Sequence, residues 1–191
     1  MTEFREFKKI PRLSRECVIT EKIDGTNGVI HITEEGEMLV GSRNRWLDHH
    51  NDNYNFWHWC MNNKEDLLQL GVGTHYGEWW GSGIQRGYGL VKGEKRFSLF
   101  NTGRWVRDRN KQLLEKQEYC PECCYVVPIL HEGIFETNPC DACLDVLRIN
   151  GSYASPGFMK PEGIVIYHKA GNLYFKKTIE KDDIPKKFKE E

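Results

Sequence analysis

Apolar and polar positions follow two rhythms along this chain. In GVIHITEEGEMLVGSR, residues 28–43, apolar β-formers flank a short polar stretch containing Glu35 and Gly36. That pattern predicts a strand, a turn and a second strand. It returns in GIVIYHKAGNLYFKKT, residues 163–178, with Lys169 to Asn172 as the turn. Two hairpins therefore frame the chain, the first continuing directly from a strand that ends at Lys22. Between them the period lengthens. NFWHWCMNNKEDLLQLG, residues 55–71, has helix length, an apolar and aromatic first half, and a glycine just past its last leucine, where helices tend to stop. TNPCDACLDVLRINGS, residues 137–152, predicts a helix with Asn138 as N-cap, Pro139 at the first helical position, Asp141 in the first turn, Arg148 in the last and Gly151 as stop. Strands and helices intermix without a βαβ rhythm, which predicts an α+β fold of two mainly antiparallel sheets with peripheral helices.

Bulk properties narrow the class of protein. With 39% apolar and 29% charged residues, 191 positions suffice for one core and a solvated surface. The N-terminus, MTEFREFKKI, is charged and lacks the apolar centre of a signal peptide, and no apolar run reaches the length of a membrane span. The expectation is a cytoplasmic protein with no membrane partner. A formal net charge of −1 means that contact with nucleic acid has to come from a local basic patch. Seven cysteines without an export signal argue for thiols or a metal site rather than a disulfide framework.

The chemistry gathers in six short stretches. In EKIDGTN, Lys22 and Asp24 would share one face of a strand and Ile23 the other, just before Gly25. By itself this reads as a strand ending in a surface turn. SRNR brings in Arg43 and Arg45 after the first hairpin, and HYGEWWG sets Glu78 between Gly77 and two tryptophans. A carboxylate in such aromatic surroundings requires a hydrogen-bonding partner. FSLFN presents Phe97 and Phe100 from a short apolar strand; PEGIVIYH opens its strand with Glu162; and the paired strand ends in Lys176 and Lys177.

Taken in order, KIDGTN, SRNR, YGEW, FSLFN, EGIVIY and FKK resemble the nucleotidyltransferase motifs of ATP-dependent polynucleotide ligases, and within them the nick-sealing RNA ligase branch. The resemblance implies an ATP-grasp-like nucleotidyltransferase domain over residues 1–191, without an appended C-terminal domain, that takes ATP and Mg²⁺ or Mn²⁺ and acts on RNA ends or nicks. Substrate grip would then come from this domain or from a partner protein. It also implies that Lys22 carries AMP as a phosphoramidate between ATP and the RNA end. A nucleophilic amine must be neutral, and nearby cations such as Lys176 and a bound metal favour that form. Asp24, Glu162 and Lys176 complete the implied catalytic set, with Glu162 organising the metal. Glu21, Ile23, Asn27, Arg43, Glu78, Phe100 and Lys177 join Lys22 and Lys176 around the nucleotide, Glu78 on a ribose hydroxyl and Phe100 stacked on adenine. Arg43, Arg45, Lys8, Lys9 and Arg12 are the implied RNA contacts. Two positions depart from the family pattern. Asn101 stands where many ligases have Asp, and Lys176 and Lys177 are adjacent rather than spaced by one residue. Adjacent strand residues face opposite ways, so only one can face AMP, and Lys176 is favoured.

Cys120, Cys123, Cys140 and Cys143 form two Cys-x2-Cys pairs, a spacing that suits zinc. Against zinc, Cys140, Cys143, Leu144 and Leu147 fall at i, i+3, i+4 and i+7 of the predicted helix, as an apolar face would. The rival functional readings are a minimal DNA ligase, a capping nucleotidyltransferase, and a nucleic-acid-end binding module without catalysis.

Overall fold

The computed structural model describes residues 3–180 and 182. Its elements are β1 (Glu16–Lys22), β2 (Thr26–Ile32), β3 (Met38–Gly41), α1 (Phe56–Asn62), α2 (Lys64–Leu68), β4 (Gly73–Gly81), β5 (Lys95–Leu99), β6 (Trp105–Val106), β7 (Glu118–Tyr119), β8 (Cys124–Val126), β9 (Ile129–Ile134), α3 (Thr137–Asn150), β10 (Gly163–His168) and β11 (Leu173–Thr178). One sheet has the order β11-β10-β1-β9 and a second the order β3-β2-β4-β5-β8, while β6 and β7 form a small ladder of their own. The α+β class with two sheets and few helices holds. Its pairing is antiparallel except at β5–β8 and β6–β7, which run parallel.

Each sheet buries its own core. Cys17 and Ile19 of β1 and Ile164 and Ile166 of β10 pack against Cys140, Cys143, Leu144 and Leu147 of α3. Under the second sheet, Ile30, Val40, Trp79, Phe97 and Leu99 meet Phe56 and Cys60 of α1 and Leu67 of α2. A third cluster, Ile23, Trp80, Tyr88 and Val127, bridges the sheets where the chain leaves β1.

Local structure departs from expectation in three places, each for a physical reason. The strand ending at Lys22 does not run on into the first hairpin: β1 and β2 belong to different sheets. The crossing depends on Gly25, where a Cβ would stand 2.4 Å from the Trp79 carbonyl oxygen. The helix expected over 55–71 breaks in two at Asn63, which sits at φ −114° and whose side-chain amide donates to the Trp59 carbonyl at 2.8 Å. That side chain competes with the backbone for the carbonyls a continuous helix would use. Helix α3 starts two residues earlier than expected: Glu136, at φ −145° and ψ 160°, takes the N-cap position, and Asn138 and Pro139 lie inside the first turn. Pro139 costs nothing there, because the first four N–H groups of a helix have no intrahelical partner. Gly151 ends the helix at φ 77° as expected.

Candidate active site

The site forms where the end of β1 faces the second sheet. β1 pairs with β10 so that Lys22 lies opposite Gly163, Glu21 opposite Ile164 and Thr20 opposite Val165. β10 in turn sets Val165 opposite Lys176 and Ile164 opposite Lys177. Cross-strand partners share a face. Lys22, Thr20, Val165 and Lys176 therefore lie on one face, while Glu21, Ile164 and Lys177 lie on the face covered by α3. Lys177 confirms that direction by donating to Asp141 of α3 at 2.6 Å.

Lys22 meets a carboxylate from the segment before β10: its Nζ donates to Glu162 Oε2 at 2.5 Å, with 22% and 18% of the two side chains exposed. On the second sheet, β2 and β4 place Asn27 opposite Glu78. Glu78 accepts hydrogen bonds from the Gly25 N–H at 3.0 Å and from Asn27 Nδ2 at 3.4 Å, so the expected partner is mainly backbone. Burial pushes the Glu78 carboxyl up to about 7; the Lys22 charge and the Gly25 N–H oppose that rise, and the negative charges of Glu162 and Asp24 add to it. Lys22, Asp24, Glu78 and Glu162 thus form one electrostatic unit drawn from three separate stretches of sequence.

A brace that the sequence did not announce holds this unit together. Arg86 donates from Nε to Asp24 Oδ2 at 3.0 Å and from Nη1 to the Lys160 carbonyl at 3.0 Å. It therefore ties the lysine loop to the segment that carries Glu162. Tyr88 is fully buried; its hydroxyl accepts from the Asp24 N–H at 3.1 Å and donates to the Lys22 carbonyl at 3.3 Å. The loop supplying both residues keeps Gln85 at φ 44° and Tyr88 at φ 50°, left-handed conformations that are costly for side-chain-bearing residues. The signal in the sequence was the glycine-rich GSGIQRGYG, which marks an unusual backbone without telling its purpose.

Other expected residues are placed as follows. The Glu21 side chain points away from Lys22: it is buried and accepts from Ser152 Oγ at 2.6 Å and from the Tyr153 and Ala154 N–H groups at 2.8 and 2.9 Å. Burial raises its carboxyl and these donors counter the rise, which makes Glu21 a clamp on the loop after α3. Ile23 is core. Phe100 follows β5 partly buried against Ile23, Trp80, Tyr88 and Val127, whereas Phe97 belongs to the interior of the second sheet. Asn101 turns the chain by accepting the Arg104 N–H at 3.1 Å. Arg43 lies exposed in the turn after β3, at the end of β2 that carries Asn27. Arg45 is tied to that turn through the Asn51 and Asp52 carbonyls at 3.2 and 3.3 Å. Lys8, Lys9 and Arg12 sit on an exposed N-terminal segment that joins the fold at the opposite end of β1, where the Leu13 carbonyl contacts His168 Nε2 at 2.7 Å. Lys22 is six residues further along that strand, about 20 Å away. The structure does not bring these three to the Lys22 unit.

The four-cysteine zinc reading is corrected. Cys140 and Cys143, on the buried face of α3, share a core with Cys17, while Cys120 lies in the other core with Cys60 and Cys124, Cys123 packing against it. Among the described residues no three Cys, His, Asp or Glu side chains form a metal-binding group. The helical spacing of the second pair was the better guide, because apolar burial had already committed those thiols.

Among the described residues, no helix is long and apolar enough to cross a membrane. Structures with the same fold include Naegleria gruberi RNA ligase with PPi, at TM-score 0.58 and 22% identity over 86% of this chain and 50% of that one. A mutant of the same ligase with AMP and Mn aligns at TM-score 0.56 and 21% identity, covering 86% and 49%. Another mutant, with ATP and Mn, aligns at 0.56 and 20%, covering 88% and 51%. The chain spans about half the length of those ligase chains, and at such identity the likeness concerns the fold. No match was found among curated protein sequences. The profile of the RNA ligase family matches residues 15–184, a span that contains β1, Glu78, Glu162 and β11 and hence every part of the site assembled above. The chain belongs to the RNA ligase family.

Proposed function

We propose that this protein is an ATP-dependent RNA ligase that joins 5′-phosphate and 3′-hydroxyl ends through lysyl-AMP and RNA-adenylate intermediates. The observation that carries the reading is Lys22, held at the end of β1 between Glu162 at 2.5 Å and the Glu78–Asn27 pair of the opposite sheet. In the first step the neutral Lys22 amine attacks the α-phosphorus of ATP. A P–N bond forms, the bond to the bridging oxygen breaks, pyrophosphate leaves, and the amine loses its proton. The RNA 5′-phosphate then attacks the same phosphorus and releases Lys22. The 3′-hydroxyl finally attacks the adenylated 5′-phosphate and AMP leaves.

The placement of each residue supports the part proposed for it. Glu78, a fixed acceptor, suits a ribose hydroxyl, and Phe100 at the cluster edge suits an adenine face. Lys176, on the Lys22 face, suits the phosphate oxygens whose charge builds during transfer. Glu162 fits a hard divalent cation, since one carboxylate plus phosphate oxygens is an adequate ligand set. A bound Mg²⁺ or Mn²⁺ would supply neutralisation of the phosphate oxygens. The Glu162 carboxylate otherwise holds the Lys22 ammonium, so the pair must separate before the amine can react. The forms of the Naegleria ligase with AMP and Mn, and with PPi, are consistent with this chemistry.

Transfer of label from α-labelled ATP to denatured protein, with metal and without RNA, tests the reading. Wild type should be labelled and Lys22→Ala should not; label that persists in the variant removes Lys22 from its role. ATP but not GTP should serve, which separates this protein from capping enzymes.

A further inference from the structure

The loop between β6 and β7 has no part in the site above, yet residues 107–111 hold three cations, Arg107, Arg109 and Lys111. A surface arginine ordinarily keeps its rotamer freedom, and the side-chain entropy lost opposes fixing it on a ligand. Here that ordering is already built in. The Arg107 guanidinium stacks over the Tyr125 ring at 4.8 Å and donates to the Glu122 carbonyl at 2.8 Å. The Arg109 guanidinium stacks over Tyr119 at 5.0 Å and donates to the Cys120 carbonyl at 2.9 Å. The Tyr119 hydroxyl, in turn, donates to the carbonyls of Arg109 and Lys111 at 3.2 and 2.9 Å and pins the loop. Among the described residues none of these three cations forms an ion pair with a carboxylate. The loop's own acid, Asp108, accepts the Asn110 N–H. Most of the ten guanidinium N–H donors therefore remain for a ligand rich in acceptors.

The register connects this loop to the site. Glu78 lies opposite Ser98, and Ser98 lies opposite Tyr125. The three share a face of the second sheet, which puts Tyr125 about 10 Å from Glu78 at the edge strand. Arg96, 5.0 Å from the same Tyr125 ring, is held by Glu94 at 2.6 Å and borders the surface. Fixed guanidinium forks on aromatic platforms, at the sheet edge beside a nucleotide site, match a sugar-phosphate strand.

We propose that residues 107–111, with Tyr119 and Tyr125, form a phosphate-contacting surface for the RNA that is to be sealed. The choice of RNA rests on the ligase reading. The surface gives a grip nearer the site than Lys8, Lys9 and Arg12, and Arg45 is already committed to its own turn.

The test is fluorescence anisotropy with a labelled nicked RNA duplex over a salt series. It compares wild type, the Arg107→Ala/Arg109→Ala variant, and Lys111→Glu, whose side chain has no partner among the described residues. Losing two phosphate contacts should lower the slope of log K against log salt by about 1.8 in the double variant, and Lys111→Glu should lower it by about 0.9. Both should weaken binding at least tenfold at constant salt, while lysyl-AMP formation without RNA stays at the wild-type rate. Wild-type affinity and slope in the two variants overturn the proposal, as does a wild-type protein that binds no RNA. Polyglutamate binding that weakens in parallel, with RNA binding intact, would assign the surface to an acidic protein instead. Failure of wild type to form lysyl-AMP would strike the ligase reading alone, because the anisotropy series still decides the surface.

Discussion

At the scale of single residues, the site depends on which way a side chain faces and what solvates it. Glu78 illustrates the second point. Its folded-state value of about 7 lies above the ordinary 4.5, so the folded protein keeps a proton that the unfolded chain releases between those values. The stability linked to Glu78 is then fully present below about pH 4.5 and is lost as pH rises through 7. Glu78→Gln cannot ionise, so its melting temperature relative to wild type should climb from pH 5 to pH 8 in a buffer series without nucleotide. A constant difference would contradict the burial argument. Lys176 and Lys177 illustrate the first point. Lys176→Ala should slow lysyl-AMP formation by about 100-fold, as loss of one donor to a developing phosphate charge does. Lys177→Ala should leave adenylation near wild type and cost at most about 1 kcal/mol of stability, because its exposed pair with Asp141 is a surface ion pair. Rapid-quench adenylation and thermal melts on the two variants decide this, and equal kinetic losses would refute the facing.

At the scale of elements, the strained loop between β4 and β5 joins the two segments that carry Lys22 and Glu162 in the proposed site. Arg86 reaches both Asp24 and the Lys160 carbonyl, and Tyr88 spans Lys22 and Asp24. Neither touches the reacting atoms in this arrangement, so both act by positioning Lys22 against Glu162. Arg86→Ala should lower kcat for adenylation by about 10- to 100-fold with little change in KM for ATP, since a displacement near 1 Å costs that much when geometry is the source of rate. Arg86→Lys should rescue little, because one ammonium cannot reproduce the two-sided guanidinium contact. A rise in KM with kcat unchanged would place Arg86 on the nucleotide instead.

At the scale of the whole molecule, the proposed ligation requires a chain of net charge −1 to hold RNA and to tell it from DNA. The 2′-hydroxyl is the group that separates the two polymers, so discrimination should rest on the 3′-OH side of the nick. A nick with a single ribonucleotide at that end of otherwise DNA strands should be sealed markedly faster than an all-DNA nick in a timed gel assay. Equal sealing of all-DNA nicks would move the protein to the DNA ligase alternative. The loop at 107–111 contacts phosphates in the proposal above, so it should affect both substrates alike and leave this ratio unchanged.

Both hairpins, the α3 helix and the six motifs were readable in the chain, because alternation of apolar residues, glycine turns and fixed local spacings are properties of neighbouring residues. The helix break at Asn63, the Glu136 cap and the separation of β1 from β2 were not. The first is decided by the Asn63 amide on the Trp59 carbonyl and the last by the closeness of Gly25 to Trp79, contacts that apolar periodicity does not encode; Glu136 makes no side-chain cap bond. The site divides the same way. The six motifs that contain Lys22, Glu78 and Glu162 already resembled those of the family to which the chain belongs, and strand alternation alone set Lys176 and Lys177 on opposite faces. Tertiary structure decided that Glu21 clamps a loop, that the cysteine pairs lie in different cores, that Arg86 braces Asp24, and that ordered arginines line the edge of the Glu78 sheet. Sheet register and burial bring together residues 140 positions apart, as with Lys22 and Glu162, and distance in space is not written in the spacing along the chain.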